Sequence, residues 1–206
     1  EASGPGMRTR FIRSAEIEKD QIEAVLDSKV NMFACGIGAP SDVMQAAKAR
    51  NQTTLALIGS PHHVQRSIAA GVEILVAQGY DAGAHTGPIG TYSLVPQIVD
   101  AAGDIPVLVA GGVATGRHIA AALAMGAQGV WMGTAWLLSE EHQGHMHPVN
   151  RDKLIAAGSG DTVITRSESG KTFRQVRTGW SQAWEAEDAP SPLKMPSQDV
   201  LVGDLL

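Results

Sequence analysis

Cysteine occurs once in the 206 residues. Cys35 therefore has no internal partner, which excludes a disulfide scaffold and fits a reducing compartment. Basic charge is also scarce, since 16 Lys and Arg stand against 21 Asp and Glu for a formal charge of −5 at pH 7. A nucleic-acid-binding surface needs the opposite balance, so nucleic acid is not an expected partner. Long apolar runs are missing as well. The longest, within "EILVA" and "PVLVA", fall far short of the ~18 residues that a membrane span requires. No charged-then-apolar leader opens the sequence, and a cytoplasmic protein without membrane contact is expected. Aromatic residues make up only 4%, whereas glycine occurs 23 times, a composition suited to tight turns and close helix–sheet packing.

From residue 15 onward, amphipathic segments alternate with continuously apolar ones. "IEKDQIEAVLDS", "PSDVMQAAKAR", "PHHVQRSIAAG", "SLVPQIVDAAG" and "GRHIAAALAMG" carry helical spacing, with Ser41 or Asp42 available as the cap of the second. "VNMFACGIG", "TTLALIGS", "VEILVAQG", "IPVLVAGG" and "AQGVWMGTAW" read as strands covered on both faces, which implies a parallel sheet of βαβ units. An open dinucleotide-binding sheet would place G-x-G-x-x-G after its first strand, and none is there. The unusual residues instead collect where strands end, as at the C-terminal rim of a barrel. The expected fold class is α/β, a (β/α)8 TIM barrel. Eight units need ~250 residues, so the five counted here imply an incomplete barrel whose N-terminal βα units are absent from this chain. Residues 1–14 are expected to be an N-terminal stub or linker and 15–145 the βα units. Residues 146–206 form the expected C-terminal extension, a helical tail packing on the barrel.

One strand ends at Gly111-Gly112, and the next ends at Gly133-Thr134. In a barrel these would be adjacent. Their loop amides, with the Thr134 hydroxyl and a helix N-terminus, can bind phosphate without a cation. The loop behind the preceding strand carries His85, with Gly83, Ala84, Thr86 and Gly87 around it. A histidine near its free pKa of ~6.5 can take a proton at neutral pH, although spacing alone leaves a structural turn residue open. "HQGHMH" (His142, His145, His147) has spacing that could bind a metal, but no carboxylate or cysteine is placed to complete it. It reads as a solvated loop, and no metal site is expected. His62 and His63 read as polar rim residues, and Arg117 as a possible phosphate neighbour. Trp180 and Trp184 read as packing residues of the tail helix.

"QGYDAGAHTG", "LVPQIVDAAGDIPVLVAGGVATGRHIAAALAMGAQGVWMGT" and "DTVITRSESGKTFRQVRTGW", in that order, resemble the nitronate monooxygenases, which are FMN-dependent TIM barrels. The resemblance implies that His85 is catalytic. It implies flavin contacts at Gln78, Gly83, Gly112, Trp131, Met132, Gly133 and Thr134, with Gly111 beside them. It further implies oxidation of a nitronate or nitroalkane with O2; a homo-oligomer is compatible with the sequence, which does not fix the oligomeric state. Asp81 replaces the family's usual glutamate, Ala84 its second glycine and Trp131 its frequent glutamine. An FMN-dependent enoyl-acyl-carrier-protein reductase and a non-catalytic flavin-binding scaffold are the alternative readings.

Overall fold

The computed structural model describes residues 15–36 and 38–205; the expected stub at 1–14 lies outside them. Two compact units divide the chain, one of residues 18–82 and 86–132, the other including 83–85 and everything from 133 onward.

The first unit opens with helix α1 (Ala15–Leu26) and continues through strand β1 (Met32–Cys35), α2 (Ser41–Ala49) and β2 (Thr53–Ile58). A 3-10 turn (Pro61–His63), α3 (Val64–Ala70) and β3 (Ile74–Gln78) follow. After β4 (Ala84–His85), which belongs to the other unit, come α4 (Thr91–Ala102), β5 (Val107–Ala110), α5 (Gly116–Ala124) and β6 (Gly129–Trp131). The sheet order is β1-β2-β3-β5-β6, and every pairing is parallel. Each crossover therefore steps one strand onward in the same direction. A doubly wound sheet would reverse at a switch point, whereas a barrel sheet does not. The α2 cap differs from expectation. Pro40 occupies the cap position and Ser41 is already helical, because the extended backbone that precedes a helix falls on the proline.

Apolar side chains cover both faces of this sheet. Leu75, Ala77, Val107 and Val109 point into the larger cluster with Met44, Leu94, Val95 and Ile98 from the helices. Leu55, Val76 and Ala110 form a smaller cluster of their own. Residues alternate between the two along each strand, as the pleat demands. Burying each of the large aliphatic side chains contributes ~1.5–3 kcal/mol. That double cover is why these strands read as unbroken apolar runs.

In the second unit β4 pairs antiparallel with β8 (Phe173–Val176), and β8 with β7 (Thr162–Thr165). Beside them lie α6 (Pro148–Ala156), α7 (Gly179–Glu185) and α8 (Ser197–Leu205). The C-terminal stretch thus holds a hairpin in addition to its helices. Its turn is closed by Gly170 N–H donating to Arg166 C=O at 2.9 Å and by Arg166 Nε–H returning to Gly170 C=O at 2.9 Å. Gly170 has φ +80°, and a methyl added there would lie 2.6 Å from Met195 N, so only glycine fits the turn against that segment. The fully buried Gln198 pins the same turn, donating to Ser167 C=O at 2.7 Å while accepting from Leu193 N–H at 2.9 Å. The Trp180 and Trp184 rings meet in a tilted arrangement, with centroids 5.7 Å apart and planes at 59°. No helix among the described residues is long and apolar enough to cross a membrane.

Candidate active site

The sheet register brings the first group of candidate residues to one level. Gln78 stands opposite Ala110, and Ala110 opposite Trp131, at the C-terminal ends of three neighbouring strands. Gly79, Gly111-Gly112 and Met132-Gly133 follow them immediately. Gln78 is two residues beyond Val76 and one beyond Ala77, so alternation puts it on the small-cluster face, away from the helices. Trp131 remains 38% exposed.

The rim glycines do two different jobs. A methyl added at Gly79 would lie 2.5 Å from Thr91 N and closer still to the Thr91 Cα and hydroxyl. At Gly111 it would lie 2.9 Å from Ala82 N, and at Gly87 2.9 Å from Gly59 C=O. These glycines permit backbone to pack on backbone. At Gly116 and Gly133, by contrast, no atom of the described residues lies within 4 Å of that point. Gly112 adopts φ +74°, a left-handed conformation that glycine takes without strain.

Asp81 has a structural task. Its Oδ2 accepts the Thr91 N–H at 3.0 Å, which places a carboxylate at the N-terminus of α4 where the helix dipole favours it. The Thr91 hydroxyl donates to Gly111 C=O at 3.1 Å and ties α4 to the end of β5. At the start of α5, His118 Nδ1 accepts the N–H groups of Thr115 at 3.1 Å and Ala114 at 3.2 Å. His118 is therefore a cap, and Arg117 beside it is exposed.

In the second unit Gly83 and Thr134 come together, since a methyl at Gly83 would lie 3.3 Å from the Thr134 hydroxyl. Gly133 caps the 3-10 turn Thr134–Trp136. Ala84 has φ +61°, a conformation that costs a residue with a Cβ ~1–2 kcal/mol. His85 is half-buried and pairs through its backbone with Phe173 on β8. The Phe173 ring meets the imidazole edge to face, with centroids 5.2 Å apart and planes at 88°. His85 Nε2 lies 2.7 Å from the hydroxyl of Ser169, which is itself only 3% exposed. The next residue, Thr86, buries its hydroxyl with no partner among the described residues.

Ser169 was not singled out in the sequence. It is 84 positions from His85, and nothing in their spacing couples them. The usable signal was a small polar residue inside a glycine-bearing turn, "RSESGKT", between two short strands.

Two groups have displaced ionisation. Burial pushes the Cys35 thiol up and makes it a poorer nucleophile. Burial likewise raises the carboxyl of Glu168, the neighbour of Ser169. In the "HQGHMH" stretch the His142 and His145 rings lie 5.9 Å apart, and His147 is engaged as the cap of α6, accepting Val149 N–H at 3.3 Å. Among the described residues no group of three or more His, Cys, Asp or Glu could hold a metal ion.

Fold and rim together define a class, the singly wound parallel α/β proteins of TIM-barrel type, here with glycine-bearing strand ends. The chain belongs to the nitronate monooxygenase family, whose model matches residues 7–203. A Mycobacterium tuberculosis protein named as a monooxygenase, Rv1533, is 48% identical over 176 residues, covering 85% of this chain and 46% of that protein. A probable nitronate monooxygenase of Staphylococcus aureus (strain Newman) is 35% identical over 201 residues, covering 91% of this chain and 55% of the relative. Among solved structures, nitroalkane oxidase from Streptomyces ansochromogenes is similar with a TM-score of 0.80 at 27% identity, covering 92% of this chain and 56% of the other. FabK from Thermotoga maritima is similar with a TM-score of 0.78 at 31% identity, covering 94% and 60%. The chain spans about half the length of the curated relatives it matches.

Proposed function

We propose that this chain carries the cofactor- and base-bearing part of an FMN-dependent nitronate monooxygenase, with His85 as its proton-handling group. The observation that supports this most is the rim register, in which Gln78, Ala110 and Trp131 stand in one row and glycine follows each within two residues.

The residues present fit the cofactor. An FMN phosphate needs converging N–H groups and room for the backbone to approach it. Gly133 and Gly116 have open space where a side chain would stand, and Gly112 is left-handed. The family resemblance assigns flavin contacts to Gln78, Gly111, Gly112, Trp131 and Met132 in the first unit and to Gly83, Gly133 and Thr134 in the second. When bound, the flavin supplies the electron acceptor and the reaction with O2.

The protein's own part is acid–base work and placement. His85 would take the proton α to the nitro group of a nitroalkane, or hold a nitronate by hydrogen bond. Such a group contributes ~10²–10⁴ in rate when correctly placed. Phe173 shields the ring, and the β4–β8 pairing fixes its backbone.

The test is a flavin titration followed by nitrite release from an alkyl nitronate under air. The expected result is one FMN per chain, with turnover in the parent. His85→Ala should lose at least ~10²-fold in rate while retaining flavin. Undiminished turnover in His85→Ala would overturn its role. NAD(P)H-dependent reduction of an enoyl thioester in place of nitronate turnover would transfer the assignment to the reductase reading, and bound flavin with neither activity would transfer it to the scaffold reading.

A further inference from the structure

The hydrogen bond between His85 and Ser169 runs in one direction or the other according to the imidazole tautomer, and the partners of the hydroxyl bear on which. Ser169 Oγ has one hydrogen to donate and two lone pairs. It accepts the Lys171 N–H at 3.4 Å, and its other hydrogen-bond partner among the described residues is His85 Nε2 at 2.7 Å. The residue is only 3% exposed, so water is not at hand to take the hydroxyl hydrogen. A buried hydroxyl without an acceptor is costly, whereas donation to Nε2 satisfies both groups at once. Nε2 is then an acceptor, and the neutral ring must carry its proton on Nδ1.

We propose that Ser169 is the positioning residue of His85, its hydroxyl donating to Nε2 and holding the ring as the Nδ1–H tautomer. The proposal narrows the proposed role of His85 and rests on it for its catalytic meaning: with Nδ1 protonated and the Nε2 lone pair held by Ser169, the ring is set to donate a hydrogen bond to a bound nitronate and not to take a proton from a nitroalkane. The structure supplies the stiffness that such a role requires. The turn carrying Ser169 is closed by the reciprocal Arg166–Gly170 bonds and pinned by Gln198 through Ser167 C=O. On the histidine side, the two-residue strand β4 is paired with β8, and the Phe173 ring stands against the imidazole. Both ends of the Ser–His hydrogen bond therefore belong to one hairpin framework, and the ring needs no further ordering before it acts.

Imidazole nitrogen NMR on the histidine-labelled 206-residue chain tests this, with His85→Ala used to assign the signal. The expected spectrum shows His85 as the Nδ1–H tautomer in the parent and in Ser169→Thr. Ser169→Ala should shift the signal toward a mixture with the Nε2–H form while the fold, read by circular dichroism, is unchanged. In the flavin-loaded protein Ser169→Ala should lower kcat on an alkyl nitronate about ten-fold with flavin content kept, through loss of the oriented Nδ1–H donor, and Ser169→Thr should restore it. An Nε2–H tautomer in the parent, or a Ser169→Ala spectrum identical to the parent's, would overturn the proposal. Absence of nitronate turnover in the parent would count against the functional reading alone, because the tautomer is measured without substrate or flavin.

Discussion

The division of the rim glycines into two kinds can be tested by adding one methyl group at Gly79 and, separately, at Gly133. At Gly79 the new methyl would lie 2.5 Å from Thr91 N, so the first turn of α4 has to move. That turn is held by the Thr91 N–H to Asp81 Oδ2 bond at 3.0 Å and by the Thr91 hydroxyl to Gly111 C=O bond at 3.1 Å. Overpacking costs ~1–3 kcal/mol, and each strained hydrogen bond adds ~0.5–1.5 kcal/mol. Gly79→Ala should therefore destabilise the fold by about 2–6 kcal/mol. At Gly133 no atom of the described residues lies within 4 Å of the methyl position, and φ is −114°, outside the left-handed region that favours glycine. Gly133→Ala should change stability by no more than ~0.5 kcal/mol. If the Gly133 backbone approaches a flavin phosphate, the same methyl occupies ligand space and should weaken FMN binding about ten-fold or more. Urea unfolding of the flavin-free chains gives the first quantity, and quenching of flavin fluorescence gives the second. A Gly79→Ala protein as stable as the parent would refute the packing argument. A Gly133→Ala protein that binds FMN as tightly as the parent would refute the cradle.

Two further substitutions probe the hairpin unit. Ala84→Gly removes ~1–2 kcal/mol of left-handed strain at φ +61° and restores ~0.4–1 kcal/mol of unfolded-chain entropy. The expected net gain is about 0.5–1 kcal/mol, or roughly two to three degrees in Tm, and a loss of stability in thermal unfolding would contradict it. Glu168 has its carboxyl raised above its ordinary value near 4.5 by burial, so between the unfolded and folded values the native state binds more protons than the unfolded chain. Its contribution is present below the unfolded pKa and is lost as pH rises through the folded one. Glu168→Gln should therefore be more stable than the parent at pH 7 and equal to it near pH 4, and an equal difference at both would exclude burial as the cause.

The helices and parallel strands of the first unit were legible in the primary structure because the forces that make them are local or periodic. Unbroken apolar runs such as "ILVAQ" announce strands covered on both faces, and helical spacing around Leu94, Val95 and Ile98 announces the layer above them. The candidate residues were legible for a similar reason, since glycine pairs and one histidine behind apolar runs mark strand ends. What primary structure could not show was any relation depending on how the chain returns on itself. Antiparallel pairing of β4 with β8, and with it the Ser169–His85 bond, joins segments 84 positions apart, and such pairing leaves no trace in local periodicity. Nor could the glycines be sorted beforehand. Gly79 and Gly133 look alike in a sequence, and only the neighbouring backbone determines that one is filled by Thr91 while the other faces open space. Local composition determined the elements and the chemistry available to them; long-range packing alone decided which atoms that chemistry can reach.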